Sequence, residues 1–240
     1  YVVATPIGNL SDMSPRAIET LRSVQLIAAE DTRVTMKLLN AFDISTPLTS
    51  CHEHNERSKA VQIAERMLAE NIDVAVTTDA GTPCISDPGS VLVREATERG
   101  IPAVAVSGPT AMASALSVSG MDISEFTFYG FLPRQKNELR EKLTDMAWHS
   151  KIAVVHESPH RVIELLQQVQ AVLPHTFVSA SCDLTKKFEQ TLRGPVEQVL
   201  RLLEENPKAD KGEYCLCLRW AEEDIPAPET VREDISLEAR

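Results

Sequence analysis

Short apolar runs alternate with amphipathic segments along the first half of the chain. Each run is short and bounded by turn residues, which is typical of a buried strand. These runs occupy residues 1–4, 26–29, 72–78 and 101–106. A segment with helical spacing of apolar residues follows each run, and Ser14 before Pro15 is a typical helix start. The alternation predicts an α/β fold with a mostly parallel sheet and helices on both faces.

The second half of the chain has a different pattern, in which strands follow one another more closely. Strands are predicted at residues 152–155, 176–180, 190–192 and 214–218, and helices at 159–172 and 195–205. The strand at 190–192 is the expected hairpin partner of the one before it. This half is therefore predicted to be an α+β domain with a mixed sheet.

A polar, charged stretch at residues 133–136 marks the expected boundary between the two halves. The prediction is an N-terminal domain at 1–132 that carries ligand-binding loops and a C-terminal domain at 133–220 that completes a cleft. Residues 221–240 form an acidic tail that contains Pro226 and Pro228 and is expected to be exposed or loosely docked.

The formal net charge of the 240 residues is −11. A protein that binds nucleic acid without sequence preference is usually basic, so general affinity for RNA or DNA is not expected. A local basic cleft remains compatible with this charge.

Neither a membrane span nor a secretion signal is predicted. No apolar run is long enough to cross a bilayer, and the first residues do not resemble a signal peptide. The five cysteines are scattered without CxxC spacing, which is typical of reduced thiols. We therefore expect a cytoplasmic protein that does not contact membranes.

Three loops rich in glycine and proline end successive apolar strands. They are Pro6-Ile7-Gly8, the run Asp79-Ala80-Gly81-Thr82-Pro83, and Gly108-Pro109-Thr110, which leads into a helix of small residues from Ala111. In a parallel sheet these loops fall on one edge, where ligands bind, and small side chains let a ligand approach the backbone. Three ordinary strand–helix turns are the alternative. Neither a GxGxxG fingerprint nor a P-loop is present.

Other candidate chemistry is less specific. His52 and His54 alternate as metal ligands on a strand would, but no third ligand is spaced near them, and no metal is expected. Basic residues cluster in the second half and could form a cationic rim that holds phosphates, with a solvated surface as the alternative. They are Arg134, Lys136, Arg140, Lys142, Lys151, Arg161, Lys186, Lys187 and Arg193.

Several motifs in order resemble one known family. These are residues 5–10 (TPIGNL), 29–33 (AEDTR), 79–83 (DAGTP) with 87–89 (DPG), 108–109 (GP), 129–133 (YGFLP), 157–161 (ESPHR), 184–189 (LTKKFE) and 211–213 (KGE). In this order they resemble the 16S ribosomal RNA cytidine 2′-O-ribose methyltransferase I family of the tetrapyrrole methylase superfamily. The resemblance covers the chain to about Trp220.

The resemblance implies a two-domain tetrapyrrole-methylase-like fold with S-adenosylmethionine (SAM) in a cleft between the domains. It also implies a homodimer and a substrate cytidine in the decoding centre of the small ribosomal subunit. The implied cofactor-binding residues are Pro6, Ile7, Gly8, Asp79, Ala80, Gly81, Thr82, Pro83, Gly108, Pro109, Thr110, Ala111, His156, Glu157 and Gly212.

A ribose hydroxyl must lose its proton when it is methylated, so a proton acceptor is expected. The candidates are Glu30, Asp31, His54, Glu157 and, if burial lowers its pKa, Lys186. Residues 30–33 could instead form a structural ion pair with a helix cap. The alternative functions are methylation of a tetrapyrrole, as in many members of the superfamily, and a non-enzymatic binding module.

Overall fold

The computed structural model describes residues 1–225, which form two five-stranded sheets. The first half alternates strands and helices as the sequence predicts. In chain order these are β1 (Val2–Val3), α1 (Pro15–Ser23), β2 (Leu26–Ala29), α2 (Thr32–Ala41), β3 (Leu48–Ser50), α3 (Glu56–Glu70), β4 (Val74–Thr77), α4 (Ser90–Glu98), β5 (Ala105–Val106) and α5 (Ala111–Ser117).

The first sheet has the strand order β3-β2-β4-β1-β5, and all its strands are parallel. β2 and β4 are buried throughout, as expected of strands covered on both faces. Local sequence explains the helix starts: the Ala17 N–H donates to Ser14 Oγ at 3.1 Å, and Pro15 occupies the first turn of α1. The predicted parallel α/β sheet is confirmed.

The second half contains the remaining elements. They are β6 (Thr127–Phe131), α6 (Lys136–His149), β7 (Ile152–Glu157), α7 (Val162–Val172), β8 (Phe177–Cys182), β9 (Gln190–Pro195), α8 (Val196–Glu204) and β10 (Tyr214–Arg219). The sheet order is β6-β7-β10-β8-β9, with β6 parallel to β7 and the other neighbours antiparallel. The mixed sheet and the hairpin of β8 with β9 are confirmed.

Two elements near the predicted domain boundary differ from the sequence prediction. β6 is an edge strand of the second sheet, so a boundary at residue 132 cuts this strand off from its neighbour β7. The two sheets instead divide between Ser117 and Thr127. The charged stretch after residue 133 is the helix α6, which buries Leu139, Leu143 and Met146 at helical spacing.

The two faces of the second sheet have different neighbours. One face packs against α6, α7 and α8 in the large core that includes Leu143, Leu166 and Val199. The other face packs against α5 and the first half of the chain, where Ile7 and Leu116 share a core with Cys215 and Cys217. The small side chains of α5 therefore allow close contact between the two halves of the molecule.

The segment after β10 begins with a short 3₁₀ turn at Glu222–Asp224. The Asp224 carboxylate accepts a hydrogen bond from the His175 backbone N–H at 2.7 Å and lies 2.7 Å from His175 Nδ1. This part of the predicted tail is therefore held by the second domain. The rest of it, including Pro226 and Pro228, lies outside the described residues. Within residues 1–225, no helix combines the length and apolar character that crossing a bilayer requires.

Candidate active site

A cavity of about 370 Å³ lies between the carboxyl edge of the first sheet and the second sheet. Its size is within the range of small-molecule sites. Both halves of the chain line it. From the first half come Ile7, Ala80, Gly81, Thr82, Ile85, Ser86, Asp87, Thr110, Ala111 and Met112, and from the second Phe128, Phe131, His156, Glu157, Ser158, Pro159, Leu184, Glu213, Tyr214 and Cys215.

The three predicted loops follow three neighbouring strands, β1, β4 and β5, and they bind one another directly. Thr5 and Gly81 exchange backbone hydrogen bonds of 2.8 and 3.1 Å. The Thr82 hydroxyl donates to the Pro109 carbonyl at 3.2 Å. Gly108 packs closely against the first loop, because a Cβ there would lie 3.0 Å from Ala4 Cβ. The loops therefore form one hydrogen-bonded platform under the cavity.

The predicted cofactor residues divide into those that line this cavity and those that support it. Ile7, Ala80, Gly81, Thr82, Thr110, Ala111, His156 and Glu157 line the cavity. Pro6, Gly8, Asp79, Pro83, Gly108, Pro109 and Gly212 lie in the same segments without lining it. Every predicted segment therefore reaches the cavity or adjoins a residue that does, and cofactor binding by these residues stays a prediction.

Glu157 is the most deeply buried acidic side chain of the cavity wall, with 1% of its side chain exposed. Its Oε1 accepts the Ser158 N–H at 2.7 Å. Its Oε2 is buried and has no hydrogen-bond partner among residues 1–225, and Arg161 Nη2 lies 3.6 Å away. Burial raises the pKa of this carboxyl, although the charge of Arg161 opposes the rise. A buried acceptor without a hydrogen-bond donor lowers the stability of the folded protein. Oε2 can therefore accept a hydrogen bond from a ligand that enters the cavity.

His156 precedes Glu157 on β7 and lines the same cavity between two aromatic rings. Its ring centroid lies 5.2 Å from that of Phe128 and 5.7 Å from that of Phe131. Burial lowers the pKa of His156, and the charge of Glu213 opposes this shift. The imidazole is therefore neutral at pH 7 and can accept a proton.

An acidic cluster formed by Glu30, Asp79 and Asp87 lies at the ends of β2 and β4. Glu30 Oε2 accepts the Thr78 hydroxyl at 2.5 Å and the Asp79 N–H at 3.2 Å. Burial, with the charges of Glu30 and Asp79, raises the pKa of Asp87 to about 6. Of these three carboxylates only Asp87 lines the cavity. Glu30 therefore supports the loop after β4 instead of facing a ligand.

Asp31 caps helix α2 instead of facing the cavity. Its side chain accepts the Arg33 N–H at 2.8 Å and pairs with the Arg33 guanidinium at 2.6 Å. The hydrogen bonds from Arg33 lower the pKa of Asp31 to about 2. The structural interpretation of residues 30–33, a cap with an ion pair, is the one that the structure shows.

Lys186 lies between two carboxylates of the second domain. Its Nζ is 2.9 Å from Asp183 Oδ1 and 2.7 Å from Glu213 Oε2. Burial alone would lower the pKa of Lys186, but the hydrogen bonds that its ammonium donates to Glu213 and Asp183 outweigh this effect, and the pKa is raised. The condition for Lys186 to act as a base is therefore not met. Its aliphatic stem crosses Gly8, where a Cβ would lie 2.5 Å from Lys186 Cγ.

Most of the predicted cationic rim is likewise engaged within the protein. Arg140 donates to Gln168, Lys142 pairs with Asp145, Lys151 with Glu125, Arg161 with Glu157, and Arg193 donates to the Val118 carbonyl. His54 lies away from the cavity beside His52. Among residues 1–225, no group of three or more His, Cys, Asp or Glu side chains is arranged to hold a metal.

Several residues of the cavity wall were not predicted from the sequence. Ile85, Ser86 and Phe128 look like ordinary core or turn positions, and nothing in their spacing marks a site. Asp87, Phe131 and Glu213 lie in motifs that carried the family resemblance, so this signal could have found them.

The family model described as "Tetrapyrrole (Corrin/Porphyrin) Methylases" matches residues 1–200 of the chain. Relatives named ribosomal RNA small subunit methyltransferase I match over most of its length. The one from Halalkalibacterium halodurans is 41% identical and covers 98% of this chain and 81% of the relative. The one from Escherichia coli O157:H7 is 40% identical and covers 95% of this chain and 80% of the relative.

Solved structures support the same fold at low sequence identity. Diphthine synthase has a TM-score of 0.70 at 12% identity, covering 91% of this chain and 88% of that one. The uroporphyrin III C-methyl transferase of Thermus thermophilus has a TM-score of 0.63 at 13% identity, covering 91% and 96%. Identities this low establish the architecture alone.

Proposed function

This chain belongs to the tetrapyrrole methylase family and, within it, to the ribosomal RNA small subunit methyltransferases I, and from this premise we propose its substrate. We propose that it methylates the ribose 2′-hydroxyl of a cytidine in the decoding centre of 16S ribosomal RNA. The methyl donor is SAM. The observation that carries the proposal is the cavity that both sheets build above the three bonded loops, in a chain 41% identical to a relative of that name over 98% of its length.

The residues of the cavity fit SAM as cofactor. Its volume of about 370 Å³ suits a ligand of nucleoside size, and it is lined by small residues at Ala80, Gly81 and Ala111. The unmatched buried Oε2 of Glu157 can accept a hydrogen bond from an amino or hydroxyl group of the cofactor. When bound, SAM supplies a methyl group that its sulfonium has already activated.

The protein's own part in the reaction is to orient the groups and to move a proton. The platform of hydrogen-bonded loops holds the ligand from below, and the apolar wall of Ile7, Met112 and Leu184 excludes water. His156 and Glu157 are the titratable groups of β7 that line the cavity and can accept the hydroxyl proton. Glu30, Asp31 and Lys186 support the surrounding structure.

A test of this function uses purified protein, SAM with a labelled methyl group, and small ribosomal subunits that lack the modification. We expect label in one decoding-centre fragment, recovered as 2′-O-methylcytidine after complete digestion. Glu157→Gln and His156→Gln are assayed beside the unaltered protein for both SAM affinity and methyl transfer; loss of transfer at unchanged SAM affinity identifies the group that accepts the proton. Label in the base, in another fragment, or in a porphyrinoid substrate instead of the RNA would contradict the proposal.

The resemblance also implies a homodimer that acts in the cytoplasm, where ribosomal subunits are found, and we include both in the proposal. Sedimentation of the purified chain at micromolar concentration tests the dimer. A single species with the mass of one chain, 26.5 kDa, would contradict it.

A further inference from the structure

Two exposed apolar side chains lie at the mouth of the cavity, one from each half of the chain. Phe131, at the end of β6, is 66% exposed, and Ile85, in the loop after β4, is 42% exposed. Both nevertheless line the cavity. Large apolar side chains that remain exposed beside a ligand cavity are typical of an interaction site.

The fold brings the two segments that carry these side chains together through a close contact between the halves. Gly130 has φ +64°, and a Cβ there would lie 2.8 Å from Ser86 Oγ. Ile85 directly precedes Ser86 in the chain, and Phe131 directly follows Gly130. The β6–β7 ladder also shifts register between Phe128 and Gly130. Such irregularities re-aim side chains next to active sites, and here Phe131 is left at the cavity mouth.

Phe131 is supported from within the cavity and open towards solvent. Its ring centroid lies 5.7 Å from that of His156, with 36° between the ring planes. His156 in turn packs edge-on against Phe128 at 5.2 Å. The aromatic ring is thus held beside a candidate proton acceptor while most of its surface remains available to a planar partner.

Positive charge accompanies this aromatic ring. Arg134 and Lys136 follow Phe131 in the chain, are exposed, and form no ion pair within residues 1–225. The Pro133 carbonyl, next to Arg134 in the chain, accepts a hydrogen bond from Arg161 Nη2 at 3.0 Å. The same nitrogen lies 3.6 Å from the Glu157 carboxylate, so the backbone beside Arg134 lies close to the cavity wall. Although the chain has a net charge of −11, two exposed cations follow this exposed ring within five residues.

An RNA nucleotide fits this combination of groups. Proteins bind unpaired RNA by stacking its bases on aromatic side chains, with arginine or lysine on the phosphates. Enzymes that act on a base inside a duplex first take its nucleotide out of the stack. A ribose placed inside the cavity beside His156 leaves its base at the mouth, where Phe131 and Ile85 lie.

We propose that Phe131 and Ile85 form a slot for the nucleobase of the ribose that is methylated, and that Arg134 binds an adjacent phosphate. This inference rests on the proposed function, since it assumes an RNA substrate. Phe131 thereby positions the nucleotide without taking part in the chemical step.

The test compares Phe131→Ala and Phe131→Tyr with a matched control, Phe126→Ala. Phe126 lies just before β6 and is 42% exposed, but it does not line the cavity. Because stacking on one base is worth ~1–3 kcal/mol, Phe131→Ala should lower kcat/KM for small subunits about 5- to 150-fold. Phe131→Tyr should restore most of this loss, and Phe126→Ala should leave kcat/KM unchanged.

Two further measurements separate the slot from other roles of Phe131. Calorimetry with SAM should give the same affinity for Phe131→Ala as for the unaltered protein, which also shows that the variant is folded. Arg134→Ala should reduce the slope of log affinity for RNA against log salt concentration by about 1, the effect of one lost phosphate contact.

Different failures have different meanings. Unchanged kcat/KM in Phe131→Ala, with methylation by the unaltered protein intact, would overturn the slot and leave the proposed function standing. Loss of activity that accompanies weaker SAM binding or a changed sedimentation coefficient would also overturn it, by assigning Phe131 to the cofactor site or to contact between copies. No methylation of RNA by the unaltered protein would overturn both proposals.

Discussion

The position of Lys186 between Asp183 and Glu213 leads to a specific prediction for Lys186→Met. Methionine keeps an unbranched stem over Gly8 but removes the ammonium group. The variant therefore breaks the two ion pairs at 2.9 and 2.7 Å and leaves the packing on the cofactor loop in place. If this structural role is correct, stability falls while contact with RNA is unaffected.

The size of the effect follows from the exposure of the three side chains. Glu213 is 76% exposed, so its pair with Lys186 contributes only ~0.2–1 kcal/mol. The pair with Asp183 is half-buried, and its loss leaves two carboxylates close together without a cation. We expect a total loss of about 1–2 kcal/mol, which for a domain of this size lowers Tm by about 2–8 °C.

The assay combines thermal denaturation with RNA binding at several salt concentrations. Lys187→Met is the matched control, because Lys187 is exposed, forms no ion pair in the described part of the chain, and has its ammonium over the exposed ring of Phe188. Lys186→Met should lower Tm and keep the salt slope of RNA binding. The control should keep the Tm of the unaltered protein. Unaltered stability together with a salt slope reduced by about 1 would refute the structural role and make Lys186 a phosphate contact.

Three other substitutions test separate features. Gly212→Ala should cost about 2–4 kcal/mol in urea denaturation, since φ is +87° and the new Cβ would lie 2.6 Å from Asp183 Oδ2; an unchanged midpoint would contradict this. Asp87 has a pKa raised to about 6, so its contribution to stability is complete below about pH 4 and is lost as pH rises through 6. Asp87→Asn should remove roughly 1–2 kcal/mol of that decline, seen as a flatter stability–pH profile. Asp31→Ala should lower Tm, because it removes the cap of α2. Asp31→Asn can still cap the helix and should keep both Tm and methyl transfer. Loss of methyl transfer in Asp31→Asn would show that Asp31 takes part in the reaction.

The sequence was sufficient for the elements whose apolar pattern is local and regular. β2 was predicted with its correct bounds, and α7 lies within the predicted helix at 159–172. α6 was missed because charged residues outnumber the four that it buries, although these lie at helical spacing. β6 was assigned to the wrong half because sheet membership is a long-range property: only its pairing with β7 shows where it belongs.

For the candidate site, the sequence predicted the loops and not the environment of individual side chains. Gly and Pro at the ends of three strands are a local signal, and their meeting at one edge follows from parallel topology. Lys186 pairs with Asp183, three residues before it, and with Glu213, 27 residues after it. The pair with Glu213 is long-range, and the local sequence does not show whether a lysine has such a partner. The burial of Glu157 Oε2 is of the same kind.

The hydrogen bonds between Thr5 and Gly81 and between Thr82 and Pro109 have a consequence for how the binding site forms. Because these loops are hydrogen-bonded to one another, folding of the first sheet also orders the base of the cavity before a cofactor binds. The entropy of ordering three glycine-rich turns is then lost during folding and does not weaken each binding event. Each SAM molecule would then bind the same ordered loops. Release of the demethylated product would not require these loops to refold.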